Sequence, residues 1–339
     1  MDLPKLEHIA HALVMDNKGI LAADESTGTI EKRFKAIGVP SSEETRRSYR
    51  EMLFTTPDME KFISGVIMYD ETIRQKTKAG VPFADYLHDK GVVPGIKVDK
   101  GAKALAGSPS EKITEGLDGL RERLQDYHRM GARFAKWRAV IEIAADIPTD
   151  YCLRANAQAL ARYAALCQEV GLVPIVEPEV LMDGAHTLER CAEVSDATLK
   201  IVFDELYNHR VALEGMLLKP NMIISGMQAP KQASVEEVAK DTIKLLKRRV
   251  PAAVPGIVFL SGGQISELAT AHLNAMNKLG HHPWELSFSY GRALQAPAME
   301  AWLGQTANWG AGQAAFFKRA HCNSSACAGV YTEQMEKAA

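Results

Sequence analysis

Short apolar segments alternate with longer segments of helical periodicity along most of the chain. The short segments are rich in valine, isoleucine, leucine and alanine, and most end in a charged residue, a glycine or a proline, as parallel strands buried on both faces do. Eight of them lie at residues 19–24, 63–70, 93–99, 134–140, 172–180, 213–220, 256–263 and 285–291. Repeated alternation of strands and helices predicts an α/β fold with a parallel sheet.

Several helix boundaries are also marked in the sequence. Ser41–Glu44 and Ser234–Glu237 have the serine and glutamate spacing of a capping box, which opens a helix. Residues 151–170 are rich in alanine and leucine, and Gly171 follows where a C-cap glycine is expected. No linker rich in proline, glycine or serine divides the chain, and no repeat of fixed period is present.

Eight strands with intervening helices predict one closed (β/α)8 TIM barrel. We expect a single domain over residues 1–339, with the barrel at about residues 19–305, extra N-terminal and C-terminal helices, and a C-terminal helix and short tail at about 306–339. An open doubly wound sheet is the alternative. That fold would require a GxGxxG turn after the first strand, and Ala23 to Gly28 do not match it.

The composition excludes several classes of function. The 339 residues include 40 Lys and Arg against 42 Asp and Glu, and the net charge of −2 provides no basic surface for nucleic acid or anionic membrane. No apolar run approaches the roughly 18 residues of a membrane span, and the N-terminus lacks the pattern of a secretory signal. A cytoplasmic protein is therefore expected. The 5 cysteines include no CxxC pair, which predicts reduced thiols.

Charged and polar residues stand at the predicted C-terminal ends of the strands, where TIM barrels carry their active sites. They are Asp24, Asp70, Glu71, Lys97, Asp99, Lys136, Arg138, Glu177, Glu179, Lys219, Ser261, Ser289 and Arg292. An amine is nucleophilic only when neutral, and burial with a neighbouring cation lowers its pKa. Lys219 has an apolar setting and Lys136 could be the cation, which indicates a Schiff-base lysine. A single lysine at a strand end is more often a snorkelling surface residue, but three lysines interleaved with these carboxylates favour a site.

The last two strands lead into sequences suited to phosphate. Ser261-Gly262-Gly263 offers unobstructed backbone N–H groups, and Ser289-Tyr290-Gly291-Arg292 adds a hydroxyl, a glycine and a guanidinium. The loops after strands seven and eight are the usual phosphate site of this fold. After the first strand, a short helix with Lys32 and Arg33 could hold a second phosphate, or could simply be a solvated helix.

The histidines and cysteines do not indicate a metal site. No HExxH motif and no Cys/His cluster is present, and none of the 10 histidines stands at a predicted strand end. We therefore expect scattered surface histidines, no metal and no cofactor.

Taken together, these motifs resemble class I fructose-bisphosphate aldolases over nearly the whole chain. The motifs that carry the resemblance are Leu21–Gly28, Gly95–Gly101, Phe134–Arg138, Val176–Glu179, Leu217–Asn221, Leu260–Gln264 and Ser289–Gln295. The resemblance implies a cytosolic homotetramer that reversibly cleaves fructose 1,6-bisphosphate to dihydroxyacetone phosphate and glyceraldehyde 3-phosphate without a metal.

The resemblance also implies roles for individual residues. Lys219 matches the Schiff-base lysine and Glu177 the general acid and base, while Asp24 and Lys136 assist attachment and cleavage and Glu179 is a supporting carboxylate. Matches to the phosphate site nearest the ketone are Ser261, Gly262, Gly263, Ser289, Gly291 and Arg292. The other phosphate is matched by Arg33 and, more loosely, by Lys97 and Arg138.

One feature departs from the animal members of the family, whose last residue is a tyrosine that takes part in the final proton transfer. Here Tyr331 matches an upstream tyrosine, and the sequence finishes Met335-Glu336-Lys337-Ala338-Ala339. Two other hypotheses stay open on the sequence. One is a metal-dependent aldolase or sugar-phosphate isomerase, and the other is a barrel that serves as a scaffold after losing catalysis.

Overall fold

A computed structural model, which describes residues 1–337, shows a closed barrel of eight parallel strands with helices outside it. In chain order the strands are β1 (Gly19–Ala23), β2 (Ile63–Met68), β3 (Val93–Lys97), β4 (Ala102–Leu105), β5 (Ser108–Thr114), β6 (Phe134–Ile141), β7 (Val173–Val180), β8 (Leu217–Leu218), β9 (Gly256–Phe259) and β10 (Glu285–Tyr290). Strands β4 and β5 form a separate antiparallel hairpin, and the others close the barrel in chain order, with β10 pairing with β1. The predicted TIM barrel is confirmed.

The helices follow the strands in the alternation that the sequence predicts. They are α1 (Leu3–Ala12), α2 (Thr27–Ala36), α3 (Glu43–Phe54), α4 (Asp70–Ile73), α5 (Phe83–Asp89), α6 (Leu120–Arg129), α7 (Asp150–Val170), α8 (Leu188–Asn208), α9 (Val235–Arg249), α10 (Ser266–Lys278), α11 (Arg292–Trp302) and α12 (Trp309–Cys327). Short 3-10 turns lie at Met59–Lys61, Leu213–Gly215, Thr306–Asn308 and Glu333–Glu336. The end of the predicted tail, residues 338–339, falls outside the described residues.

The barrel interior is filled from its N-terminal end. Leu6 and Ile9 of α1, and Leu13 directly after it, pack in one buried cluster with inward-facing residues of the strands, among them Phe134. The ring of Phe134 lies against the backbone of Gly95, so that a Cβ added at Gly95 would be only 2.2 Å from the ring. Glycine is therefore required at position 95 by this close approach. Packing of α1 and Phe134 leaves the C-terminal end of the barrel as the place for a site.

The predicted helix boundaries are confirmed except for one. Gly171 ends α7 with a φ of 86°, and Ser234 forms a complete capping box with Glu237 at the start of α9. At α3 the N-cap is Ser42, whose hydroxyl accepts a hydrogen bond from Thr45 N. The third helical position is then a threonine, so the box predicted for Ser41–Glu44 is wrong.

Two strand predictions differ from the structure. The segment 213–220 was expected to be one strand, but it forms a 3-10 turn followed by the two-residue β8. Gly215 lies in that turn and packs against α1, where an added Cβ would be 3.0 Å from Leu6 Cβ. This part of the chain therefore turns beside α1 and does not extend as a strand. The β4–β5 hairpin was missed, because most of its residues are exposed or half-buried and it lacks the apolar run of a barrel strand.

The thiol prediction and the membrane prediction can also be compared with the structure. All five cysteines are free thiols, as predicted; Cys327 is half-buried and the other four are buried. Among residues 1–337, no helix is both long enough and apolar enough to span a bilayer.

Candidate active site

A cavity of about 1090 Å³ opens at the C-terminal ends of the barrel strands. The residues to which the resemblance gives a role all line it: Asp24, Arg33, Lys97, Lys136, Arg138, Glu177, Glu179, Lys219, Ser261, Gly262, Gly263, Ser289, Gly291 and Arg292. Of the other predicted strand-end residues, Asp70 and Asp99 also line it, whereas Glu71 pairs with Arg46 instead. Lys32, predicted together with Arg33, is not among the described residues that line it. The parallel register brings the lining residues together, since Lys97 stands opposite Lys136 and Arg138 stands opposite Glu177. Side chains of alternate residues on one strand then point into the same space.

Four charged side chains form the buried centre of this cavity. Lys219 Nζ lies 3.2 Å from Glu177 Oε1, and Lys136 Nζ lies 3.3 Å from Glu177 Oε2 and 2.7 Å from Asp24 Oδ2. All four residues are buried. Glu177 Oε2 has no hydrogen-bond partner among the described residues. The centre therefore contains two amines, two carboxylates and one carboxylate oxygen that is able to accept a further hydrogen bond.

The pKa values of the two lysines are shifted in opposite directions. Burial and the positive charge of Lys136 lower the pKa of Lys219 against the opposing effect of Glu177. Burial also acts to lower the pKa of Lys136, but the charges of Asp24 and Glu177 outweigh it and raise that pKa. Lys136 therefore remains a cation, whereas Lys219 is shifted toward the neutral, nucleophilic amine.

The two carboxyl groups are held in the ionised form. Burial acts to raise the pKa of both Asp24 and Glu177, but the nearby lysines more than offset this and lower both values. Each carboxylate is thus a proton acceptor before a ligand binds. Glu177 can serve as an acid only after it has first taken up a proton from a reacting group.

Further ion pairs surround the centre. Arg138 Nε donates to Glu179 Oε2, and this carboxylate outweighs the effect of burial and raises the pKa of Arg138. Lys97 Nζ lies 2.5 Å from Asp99 Oδ1, and Asp99 Oδ2 accepts a hydrogen bond from Arg138 N at 3.2 Å. Lys97 and Arg138 are therefore held at one side of the cavity by carboxylates that leave part of each cation exposed.

The loop after β9 and the start of α11 form a glycine-rich end of the cavity. Gly262 and Gly263 have φ values of 46° and 82°, which favour glycine and expose the backbone. Helix α11 begins at Arg292 without a side-chain cap, so its first N–H groups are free to bind an anion. Ser289 Oγ is buried without a hydrogen-bond partner among residues 1–337.

A second polar end lies where α2 begins. Arg33 Nη1 lies 2.5 Å from Glu25 Oε1. Two hydroxyls that the sequence analysis did not select, Ser26 and Thr29, also line the cavity there; their oxygens are 3.1 Å apart. Ser26 occupies the N-cap position of α2, but its side chain does not cap the helix, and no sequence pattern reveals this. Other lining residues outside the prediction include Arg74, Arg123, Tyr127, Met182 and Met227.

Histidines take no part in the cavity, although one is not on the surface as expected. His272 of α10 is buried, and its Nδ1 lies 2.6 Å from Gln264 Oε1. Burial lowers its pKa to about 4, so it is neutral at pH 7. In residues 1–337, no group of three or more His, Cys, Asp and Glu side chains is placed to hold a metal ion.

Comparisons with known proteins point to a single family. Residues 5–339 match the family model described as glycolytic fructose-bisphosphate aldolase class I. A probable fructose-bisphosphate aldolase class 1 of Xanthomonas campestris is 58% identical over 332 residues, which are 98% of this chain and 99% of the relative. The cytosolic fructose-bisphosphate aldolase 5 of Arabidopsis thaliana is 54% identical over 324 residues, 95% of this chain and 90% of the relative.

A solved structure gives the same result at the level of the fold. The fructose-bisphosphate aldolase of Plasmodium falciparum, in complex with TRAP and a small-molecule inhibitor, superposes with a TM-score of 0.96 at 48% identity. The superposition covers 97% of this chain and 96% of that one.

Proposed function

Because the chain belongs to the class I fructose-bisphosphate aldolase family, we propose roles in that family's reaction for the residues that line its cavity. The activity is the reversible cleavage of fructose 1,6-bisphosphate to dihydroxyacetone phosphate and glyceraldehyde 3-phosphate, through a lysine Schiff base and without a metal. We further propose that residues 1–339 form one domain, that four copies assemble, and that the enzyme works in the cytoplasm.

Lys219 is the nucleophile of this proposal. The observation that carries it is a buried amine whose pKa is lowered by burial and by the adjacent Lys136 cation. Neutral Lys219 adds to the ketone carbon, and loss of water gives a protonated imine. The imine accepts the electron pair of the breaking carbon–carbon bond, so cleavage produces an enamine instead of an unstabilised carbanion.

Glu177 transfers the protons. Its Oε1 lies 3.2 Å from Lys219 Nζ, within reach of the nitrogen and of the carbon that it attacks. As an ionised carboxylate it first accepts a proton, and it then donates that proton when water leaves the adduct. Its Oε2 forms an ion pair with Lys136 but accepts no hydrogen bond, so it is available to a substrate hydroxyl, whose deprotonation starts cleavage.

The other charged groups at the centre assist these steps. Lys136 supplies the fixed positive charge, and Asp24 holds Lys136 Nζ at 2.7 Å. Glu179 fixes Arg138 at the wall of the cavity. All of these groups are in place before substrate enters, so little reorganisation accompanies the reaction.

The two ends of the cavity bind the two phosphates. Ser261, Gly262, Gly263, Ser289, Gly291 and Arg292 hold the phosphate nearest the ketone. Arg33 binds the other phosphate with Lys97 and Arg138 nearby, and Ser26 and Thr29 add hydroxyls at that end. Anchoring both ends fixes the reacting carbons over Lys219 and converts binding energy into orientation.

Borohydride trapping tests the assignment of Lys219. The protein is mixed with dihydroxyacetone phosphate in EDTA, reduced, and digested, and the modified peptide is located by mass. We expect a single adduct on Lys219, and no adduct in the Lys219→Met variant. Lys97→Met is the matched control, since it removes a lysine from the same cavity wall and should leave the adduct in place. An adduct on Lys97 or Lys136 would contradict the assignment.

A further inference from the structure

Two methionine sulfurs lie beside the glycine-rich end of the cavity. Met182 lies in the loop after β7, and Met227 lies in the loop after β8. A Cβ placed on Gly263 would be 2.7 Å from Met182 Sδ, 3.5 Å from Met227 Sδ and 3.1 Å from Arg292 Nη2. The two thioethers and the guanidinium therefore surround one point of the phosphate-binding end.

The backbone keeps the two loops together and leaves one sulfur accessible. Met227 N donates a hydrogen bond to Met182 O at 2.8 Å. Met227 is 52% exposed, and Met182 is half-buried. Both side chains line the cavity, so a small oxidant that enters from solvent meets Met227 before it reaches the buried amines.

We propose that Met227 is a modification site at which peroxides convert the thioether to a sulfoxide and thereby weaken phosphate binding at Arg292. The inference rests on the proposed phosphate site. In the reaction the sulfur attacks one oxygen of hydrogen peroxide and the O–O bond breaks. The sulfur keeps that oxygen and is oxidised by two electrons, while the other oxygen leaves as water with both protons.

The consequence follows from hydrogen-bonding capacity. A guanidinium only donates hydrogen bonds. A thioether is a weak acceptor, so it does not compete with phosphate for the N–H groups of Arg292. A sulfoxide oxygen is a polar acceptor, and at Met227 it would lie beside the same N–H groups that phosphate uses. Oxidation therefore raises KM, whereas the groups around Lys219 are untouched. Phosphate already bound at this end shields the sulfur from peroxide.

The test compares enzyme treated with graded hydrogen peroxide against untreated enzyme. Oxidised residues are mapped by peptide mass, and KM is measured with fructose 1,6-bisphosphate. We expect KM to rise several-fold in proportion to the fraction of Met227 converted to sulfoxide. Treatment with methionine sulfoxide reductase should restore the original KM. Inorganic phosphate present during the peroxide treatment should protect Met227 from oxidation. In Met227→Leu, the KM after peroxide treatment should stay close to the KM of the same variant before treatment. Met15→Leu is the matched control, since Met15 is 48% exposed but precedes β1 at the opposite end of the barrel.

Several outcomes would overturn the inference. They are an equal rise in KM for Met227→Leu, sulfoxide at Met227 without a change in KM, and recovery with dithiothreitol alone, which would identify a cysteine. A wrong assignment of the phosphate site can be distinguished from a wrong inference about Met227. If the phosphate does not bind at Arg292, Arg292→Ala leaves KM unchanged without any peroxide treatment.

Discussion

Lys136 Nζ lies 2.7 Å from Asp24 Oδ2, and this ion pair crosses the mouth of the barrel from β6 to the residue after β1. These strands are not neighbours in the barrel, whose order places β2 and β3 between them. The pair keeps Lys136 charged, and that charge helps lower the pKa of Lys219. The protonation of Lys219, the proposed nucleophile, thus depends on a contact between two distant strands.

Replacing Lys136 tests this dependence. In Lys136→Met the cation is lost and the carboxylates remain, so the pKa of Lys219 should rise. We expect imine formation at neutral pH to fall by at least tenfold and its pH dependence to move to higher pH, as measured by single-turnover trapping from pH 6 to 10. Lys136→Arg keeps the charge and should retain the original pH dependence. An unshifted profile in Lys136→Met would show that Lys136 does not control the nucleophile.

Arg292→Ala tests the phosphate site nearest the ketone. A charge-assisted contact contributes about 1.5–3 kcal/mol, so its loss should raise KM roughly ten- to a hundredfold. The rise should be similar for fructose 1,6-bisphosphate and fructose 1-phosphate, because both carry the phosphate held there. A rise confined to the bisphosphate would place Arg292 at the other end.

Glu25→Gln tests the opposite end. Glu25 Oε1 accepts hydrogen bonds from Arg33 Nη1 at 2.5 Å and Gln295 Nε2 at 2.8 Å, and its Oε2 accepts one from buried Arg50 at 3.0 Å. A neutral amide cannot hold all three donors, so Arg33 should lose its fixed position. We expect a KM several-fold higher for fructose 1,6-bisphosphate and nearly unchanged for fructose 1-phosphate.

Two controls accompany the Glu25 variant. Arg33→Ala should reproduce its substrate selectivity, and the double variant should be no worse than the more severe of the two single variants. The melting temperature is measured in parallel, because Arg50 also loses a partner. An equal change in KM for both substrates would mean that Glu25 does not act through Arg33.

Glu336→Gln tests the attachment of the C-terminal segment. Buried Arg319 donates to both carboxylate oxygens of Glu336, at 2.5 and 2.6 Å, and Tyr331 OH donates to Oε1 at 2.9 Å. Removing the carboxylate leaves Arg319 without its charged partner. We expect a loss of about 1–3 kcal/mol in the free energy of unfolding, measured with urea.

The same pair predicts a pH dependence of stability. Burial acts to raise the pKa of Glu336, but Arg319 outweighs it and lowers the pKa below its ordinary value of 4.5. The pair therefore contributes fully above about pH 4.5, and its contribution is lost as the pH falls through the folded-state pKa. Between pH 7 and pH 3, the difference in stability between the native protein and Glu336→Gln should shrink. A constant difference would contradict this explanation.

Sequence patterns were sufficient for the barrel and for most of the cavity, because apolar runs mark buried strands and parallel strands end together. They were insufficient for Ser26 and Thr29, whose place in the cavity depends on the direction in which α2 starts. Most residues of the β4–β5 hairpin are exposed or half-buried, so it lacks the apolar run by which the barrel strands were recognised. His272 looks like any polar residue of a helix, and only packing of α10 shows that it is buried.

Packing of Phe134 and α1 closes the N-terminal end of the barrel, and this has a consequence for the order in which substrates bind and products leave. With the N-terminal end of the barrel closed, substrate and both products pass through the same opening. In the proposed mechanism, dihydroxyacetone phosphate is still covalently attached to Lys219 when glyceraldehyde 3-phosphate becomes free. The aldehyde therefore departs first, and in the reverse direction the ketone must enter first. A barrel that is open at one end only, combined with a covalent intermediate, thus imposes an ordered binding and release of the two triose phosphates.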